Sequence, residues 1–310
     1  MRRISLTGGI LLSIVLVANA FITEYPDTLW IPVIFYDYWV DDSGTNPDFQ
    51  SVTSAQRING MVATTLDTQK KPVPTTIACP SPDPGYPRAC HLSEWFRVSG
   101  QAGSDASCLF QCDSITNPRV QRWYWTTAAG GPLTSYQGRV GEYIGPNYNA
   151  TYNMRNIIIY DSLPFYHLGI TNPNNLGVYE YTNSNFFLLD GKGFGIQPQS
   201  TATTGHNFGF VMEMHTTFRH RPGITFNFVG DDDVWAFVNN QLVMDIGGRH
   251  VAIADSFNLD NVSGLQLDSS YTFDFFYAER FTTRSSIRIT TNIITAQPSK
   301  LTLSVTSDTI

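Results

Sequence analysis

Phe226-Asn-Phe-Val-Gly-Asp-Asp-Asp-Val-Trp-Ala-Phe-Val-Asn-Asn-Gln-Leu-Val-Met-Asp-Ile-Gly-Gly-Arg-His250 decides the fold. Ile224, Phe226 and Phe228 alternate with other residues, and two apolar runs follow on either side of Asn239-Asn240. Period-two alternation places side chains on one face of a strand. The same alternation flanks the stretch: Phe208, Phe210, Met212 and Met214 before it, and Tyr271, Phe273, Phe275, Tyr277, Ile287 and Ile289 after it. Strands are therefore expected over residues 207–218, 224–229, 234–238, 242–246, 271–278 and 286–293. Short strands separated by Gly, Asn and Asp turns, with no amphipathic helix, imply an all-β protein, an antiparallel β-sandwich. Trp235 and Phe237 read as core aromatics. No repeat of fixed period appears, which excludes a propeller or solenoid.

The chain upstream is less regular. Residues 30–36 are apolar and aromatic and read as a first strand; 157–160 read as another short one. Residues 41–48 form a polar turn region, and 172–176 a loop. Proline over 71–87 denies ladder donors and fixes φ, so that stretch is irregular. Cys79, Cys90, Cys108 and Cys112 follow within one segment. Two disulfides are expected, with three connectivities open; zinc, with His91 beside Cys90, is the alternative, but paired C-x2-C knuckles are lacking. His206, His215 and His220 lack helical zinc spacing.

Residues 1–20 read as a signal peptide: Arg2 and Arg3, a short apolar run from Ile10 to Val17, then Ala18-Asn19-Ala20. The run is too short to span a bilayer. The expected organisation is thus a leader (1–20), a loop-rich, disulfide-bearing N-terminal portion (21–165), a sandwich core (166–295) and a Ser/Thr-rich tail (296–310). Export would make Asn149 and Asn261, each in an Asn-x-Ser/Thr tripeptide, glycosylation acceptors. The formal net charge of −7 argues against nucleic acid, which needs a basic footprint, and is compatible with cation binding.

The outstanding chemical feature is Asp231-Asp232-Asp233 between two apolar strands. Like charges this close raise one another's pKa unless a cation or donors compensate. Calcium takes hard oxygen ligands in number and tolerates irregular geometry. The spacing is not that of an EF-hand. Neighbouring residues in a strand point to opposite faces, so convergence of Asp231 and Asp232 on one ion needs a turn or a cis peptide. A second polar cluster, Tyr277-Ala-Glu-Arg-Phe-Thr-Thr-Arg-Ser-Ser286, offers Glu279, if the two loops are neighbours. Otherwise the three Asp cap a solvated hairpin, and Glu279 and Arg280 form ordinary ion pairs of little worth. In Asp245-Ile-Gly-Gly-Arg-His250 the two glycines read as a turn needing positive φ and His250 as a turn histidine.

The stretches Phe226 to His250 and Phe275 to Thr291 resemble the fibro-slime domain, a branch of the anthrax-protective-antigen-type (PA-fourteen) family. Weaker echoes are Asn46-Pro-Asp-Phe-Gln50, Lys71-Pro-Val73, Ser93-Glu-Trp-Phe96, Phe186-Phe-Leu-Leu-Asp-Gly191 and His206-Asn-Phe-Gly-Phe210. The likeness runs from about Ile31 to Ile293. It implies a β-sandwich of the kind found in secreted slime-mould proteins of the prespore-cell-inducing-factor type, in bacterial surface proteins and, more distantly, in yeast adhesins. In the adhesin relatives two adjacent aspartates joined by a cis peptide hold calcium, which also binds sugar hydroxyls. Carried over, these are Asp231 and Asp232, with Glu279 where adhesins tend to have asparagine. Asp233 stands where the wider family has glycine, as an extra ligand or an outward charge. Asn239, Asn240 and Arg280 are candidate ligand or sugar contacts.

The resulting expectation is a secreted, calcium-dependent glycan-binding or adhesion protein that is not an enzyme. Weak single sites of that kind act through avidity. The alternative is a developmental or cell–cell signalling factor with a structural ion and a protein receptor. A glycosidase using Asp231 and Glu279 as acid and base is a third reading; no nucleophile elbow or separate catalytic domain accompanies it.

Overall fold

The computed structural model describes residues 25–38, 47–49, 56–79, 89–97, 142–144, 156–196, 205–280 and 284–293. The leader, Cys108, Cys112, Asn149 and the 296–310 tail lie outside them. Eleven strands among the described residues are β1 (Thr28–Tyr38), β2 (Glu142–Ile144), β3 (Asn156–His167), β4 (Tyr179–Asn183), β5 (Phe210–Arg219), β6 (Thr225–Gly230), β7 (Asp233–Val238), β8 (Gln241–Ile246), β9 (Ile253–Asn258), β10 (Ser270–Glu279) and β11 (Ile287–Thr291). Among the described residues one α-helical turn, α1 (Leu92–Trp95), and one 3-10 turn, Pro47–Phe49, lie between β1 and β2. The strands join in the order β8-β7-β10-β5-β1-β3-β4-β11-β6-β9, with β2 added on β3. Every pairing is antiparallel.

The path folds back on itself. β4 meets β3 only at Tyr166 and His167, where the chain of strands passes from one layer to the other. Across the layers Phe226 and Phe228 of β6 pack on Phe275 of β10, with ring centroids 5.7 and 6.0 Å apart. The alternating residues of β5, β6, β10 and β11 meet there in one core. Each large apolar side chain fully buried contributes about 1.5–3 kcal/mol. The fold is therefore the antiparallel β-sandwich that the alternation implies.

All six strands expected after residue 207 are present, and so are the first strand and the one at 157–160, both longer than the apolar run alone suggests. β4 and β9 carry weaker patterns. β9, Ile-Ala-Asp-Ser-Phe-Asn, is an edge strand in which Ala254 and Ser256 are exposed and no residue is fully buried. The loop at 172–176 contains one 3-10 turn, Pro173–Asn175.

β7 departs from a one-sided strand: all six residues are buried. Val234, Ala236 and Val238 face the sandwich, whereas Trp235 and Phe237 face the other way, into a second core. Residues from the N-terminal portion cover this outer face. Trp95 lies 6.3 Å from Trp235, and Phe96 meets Phe276 edge-on at 4.9 Å. The Cys79–Cys90 disulfide closes the covering layer near Ala78 and Ala89, both fully buried. It excludes pairing of Cys79 or Cys90 with Cys108 or Cys112, and it takes both thiols away from zinc. The N-terminal portion also supplies β1, between β5 and β3, and residue 165 falls within β3. No helix among the described residues is long and apolar enough to cross a membrane.

Candidate functional site

Gly230 closes β6 at a point with no room for a side chain: a Cβ there would lie 2.7 Å from Ser286 O. β6 can therefore run tightly beside the segment entering β11. The chain then leaves strand geometry. Asp232 adopts a left-handed backbone, φ 57°, which Asp tolerates better than most residues. The left-handed residue breaks the strand alternation at the Asp231-Asp232 pair.

Three sets of donors receive the three carboxylates. Asp231 Oδ1 accepts from Ser286 N and Oγ, at 2.7 and 2.8 Å. Asp232 Oδ2 accepts from Arg280 N at 2.7 Å, and its Oδ1 from His250 N at 3.3 Å. Asp233 takes Arg280 in a forked pair, Nε to Oδ2 at 2.6 Å and Nη2 to Oδ1 at 3.0 Å, and Gly248 N at 2.6 Å. Gly248 carries the positive φ expected of the Gly-Gly turn, 85°. Gly247 is needed instead for space, since a Cβ would lie 2.6 Å from Ile58 O.

Arg280 is wholly buried. Its guanidinium stands 4.9 Å over the Trp95 ring, and Nη1 donates to Asp48 O at 3.3 Å. Asp48 in turn accepts from Trp95 Nε1 and His91 N, both at 2.9 Å. Asp48 and Trp95, each from one of the weaker echoes, thus act together as the socket that holds Arg280 against Asp233.

Glu279, the last residue of β10, is also fully buried. Its Oε2 accepts from Tyr277 OH at 2.7 Å, and Tyr277 OH is 3.2 Å from Ser285 Oγ. Its Oε1 is buried with no hydrogen-bond partner among the described residues. Burial and then the neighbouring Asp232 push the Glu279 carboxyl well above the usual carboxylate range. Burial, followed by Asp233 and, after the opposing Arg280 contacts, Asp231, pushes Asp232 up to about 7.

The structure therefore brings Asp231, Asp232, Asp233, Glu279 and Arg280 together. Asp233 is paired with Arg280, which leaves Asp232 and Glu279 as the two carboxyls held above the usual range, with Asp231 beside them. Among the described residues no group of three or more His, Cys, Asp and Glu side chains is arranged to hold a metal ion as it stands. Asn239 and Asn240 sit at the far end of β7, which at about 3.3 Å per residue is some 20 Å away. Asn240 bonds there to Leu66 O at 3.5 Å and accepts from Lys70 Nζ at 3.3 Å. Asn261 is exposed, in the 3-10 turn Leu259–Asn261 beyond β9.

Sequence reasoning missed Ser286, Ser285 and Tyr277 as partners of the acidic set, and the backbone NH groups of Gly248 and His250. The paired serines stood in the quoted cluster, but only the β6–β11 register, Ile287 opposite Gly230, reveals which carboxylate they meet.

No family model matches the chain. Curated Dictyostelium discoideum proteins are similar to it, protein psiC and protein psiB among them. Protein psiC is 37% identical over 163 residues, 48% of this chain and 31% of that protein. Protein psiB is 28% identical over 294 residues, 94% of this chain and 44% of that protein. The chain thus spans less than half the length of each. Among solved structures, a PA14 sugar-binding domain from an RTX adhesin overlaps 39% of this chain and 73% of its own, at 12% identity and a TM-score of 0.24. At that score the overlap fixes neither topology nor function.

Proposed function

We propose that the chain is a secreted, non-enzymatic binding module whose Asp231-Asp232 turn and Glu279 hold calcium, and that it serves carbohydrate recognition or adhesion. The observation that carries this reading is the buried, mutually repelling set Asp231, Asp232 and Glu279, with one carboxylate oxygen, Glu279 Oε1, lacking a donor. Such a set stores unfavourable electrostatics unless it is protonated or met by a cation. The donor chemistry fits a hard divalent ion: oxygen ligands only, negative charge in excess, and irregular backbone at Asp232. When bound, calcium would supply positive charge at this turn and open coordination positions suited to vicinal sugar hydroxyls. Ser286 orients Asp231, the Arg280 and His250 NH groups orient Asp232, and Tyr277 orients Glu279.

Burial favours a second role for the same ion. Asp231 is 7% exposed and Asp232 3%. An ion at that depth would brace the turn for a protein receptor, as a signalling factor requires. Two measurements separate the readings. Calcium should raise Tm over a chelated sample under either. Glycan-array binding that disappears with chelator supports recognition through the ion, whereas receptor binding unaffected by free sugar supports the bracing role. A melting temperature indifferent to calcium, in a chain that also binds no glycan, overturns the proposal.

A further inference from the structure

The two ends of the strand path, β8 and β9, do not pair with each other. A groove of about 530 Å³ separates the start of β8 from the end of β9. That is within the roughly 300–1,000 Å³ range of small-molecule sites. None of the ten lining residues carries a formal charge. Asn227, Gln241, Ser256 and Asn261 present amide and hydroxyl groups, while Leu242 and Phe257 present apolar surface. Phe257 is half-buried and stacked on Phe226, with ring centroids 5.4 Å apart. The side chains of Gln241 and Asn261 are exposed and bond to no other described residue. Amides that both donate and accept, beside apolar surface on a wall without charged residues, suit a neutral polyhydroxylated ligand.

The chain places an attachment point for such a ligand on the wall itself. Asn261-Val262-Ser263 is an Asn-x-Ser tripeptide without proline, and its asparagine is exposed. We propose that the saccharide N-linked to Asn261 folds back into this seam and covers the edge of β9. Attachment joins the Asn261 side-chain nitrogen to the anomeric carbon of a lipid-diphosphate-linked oligosaccharide. The bond from that carbon to the diphosphate oxygen breaks, the diphosphate leaves with the bonding pair, and the amide gives up one proton. Tethering makes seating intramolecular, so contacts too weak to capture a free sugar suffice. The gain is protection of an edge strand, whose open backbone groups otherwise invite pairing with other chains. The inference rests on export of the chain, and not on calcium.

The test uses full-length chain secreted from a eukaryotic host. Peptide mass mapping reads carbohydrate at Asn261, and hydrogen exchange reads the β9 amides in three forms: glycosylated, enzymatically trimmed, and S263A. Residues 253–258 should exchange about tenfold faster in the trimmed and S263A forms, with β5 and β10 unchanged. Trimming the native protein keeps the comparison valid should S263A fold poorly. An unmodified Asn261, or β9 exchange that does not change on trimming, overturns the proposal. So does protection of the trimmed protein restored by free diacetylchitobiose at micromolar concentration, which would assign the groove to external saccharide. The calcium-induced Tm shift, read on the same three samples, should be equal in all. Its absence sinks the calcium reading and leaves this one standing.

Discussion

At the scale of single residues the site divides its four carboxylates by their partners. Asp233 has Arg280, and both are fully buried, so neither tolerates loss of the other. Arg280→Met leaves Asp233 without its counter-charge and should cost about 3–5 kcal/mol in urea denaturation, the usual penalty for breaking a buried pair. Glu279 has the opposite problem, too little positive charge. Glu279→Gln relieves its repulsion with Asp232, so the chelated variant should melt no lower than the chelated parent. The parent should gain about 2.7 kcal/mol from calcium at a hundredfold excess over Kd. That is roughly 5–10 °C for a domain of 150–250 residues, and the variant should lose most of it. Differential scanning fluorimetry with and without chelator checks both halves. A third charged group sits away from the site. Burial opposes charge on His215, but hydrogen bonds to Asp274 at 2.8 Å and to Glu213 outweigh it and raise its pKa to about 9. The unfolded value is about 6.5. The imidazolium therefore contributes stability that is complete below about 6.5 and is lost as pH rises through about 9. Tm should fall between pH 6.5 and 9.5, and His215→Gln should flatten that fall. An equal slope in the variant would show that His215 is not its source.

At the scale of elements, the strands after residue 207 were legible because alternation survives in them: Phe226 and Phe228, or Phe273, Phe275 and Tyr277, need no partner to be recognised. β9 was not, since its Asp255 and Ser256 obey an edge rather than a core. Trp235 and Phe237 read as core aromatics, yet which core they enter depends on Phe49, Trp95 and Phe96, far upstream in the chain. The residue types of the candidate site, Asp231, Asp232 and Glu279, were legible, and their adjacency was not. The β10–β7 register places Ala278 opposite Asp233, and no local pattern encodes that pairing. The β7–β8 hairpin shows the contrary case, a turn specified locally. Asn239 and Asn240 both have positive φ, 48° and 68°, as a two-residue type I′ turn requires. Their amides serve the turn and the Leu66–Lys70 segment, far from the acidic set. Asn239→Val puts a β-branched side chain on left-handed backbone and should cost about 1–2 kcal/mol by chemical denaturation. Calcium affinity should stay unchanged.

For the whole molecule, the question is what folds as one unit. A split near residue 165 matches the change in sequence texture, from irregular and cysteine-bearing to alternating. The sheet runs across that change. β1 lies between β5 and β3, and Val33, Phe35 and Asp37 pair with Met214, Met212 and Phe210. The outer face of β7 and β10 is covered by Phe49, Trp95 and Phe96, and Arg280 reaches its socket at Asp48 through the same layer. A chain of residues 166–295 would therefore expose Trp235, Phe237 and Phe276 together and leave the β1-facing edge of β5 open. It would also strand the Asp233–Arg280 pair without the Trp95 ring above it. We expect that shorter chain to lack a cooperative thermal transition and a near-ultraviolet circular dichroism signal, and a chain of residues 21–310 to show both. Cooperative melting of the shorter chain would mean that the sandwich stands alone and that the N-terminal layer is an appendage, in which case Arg280 must find other partners near the acidic turn.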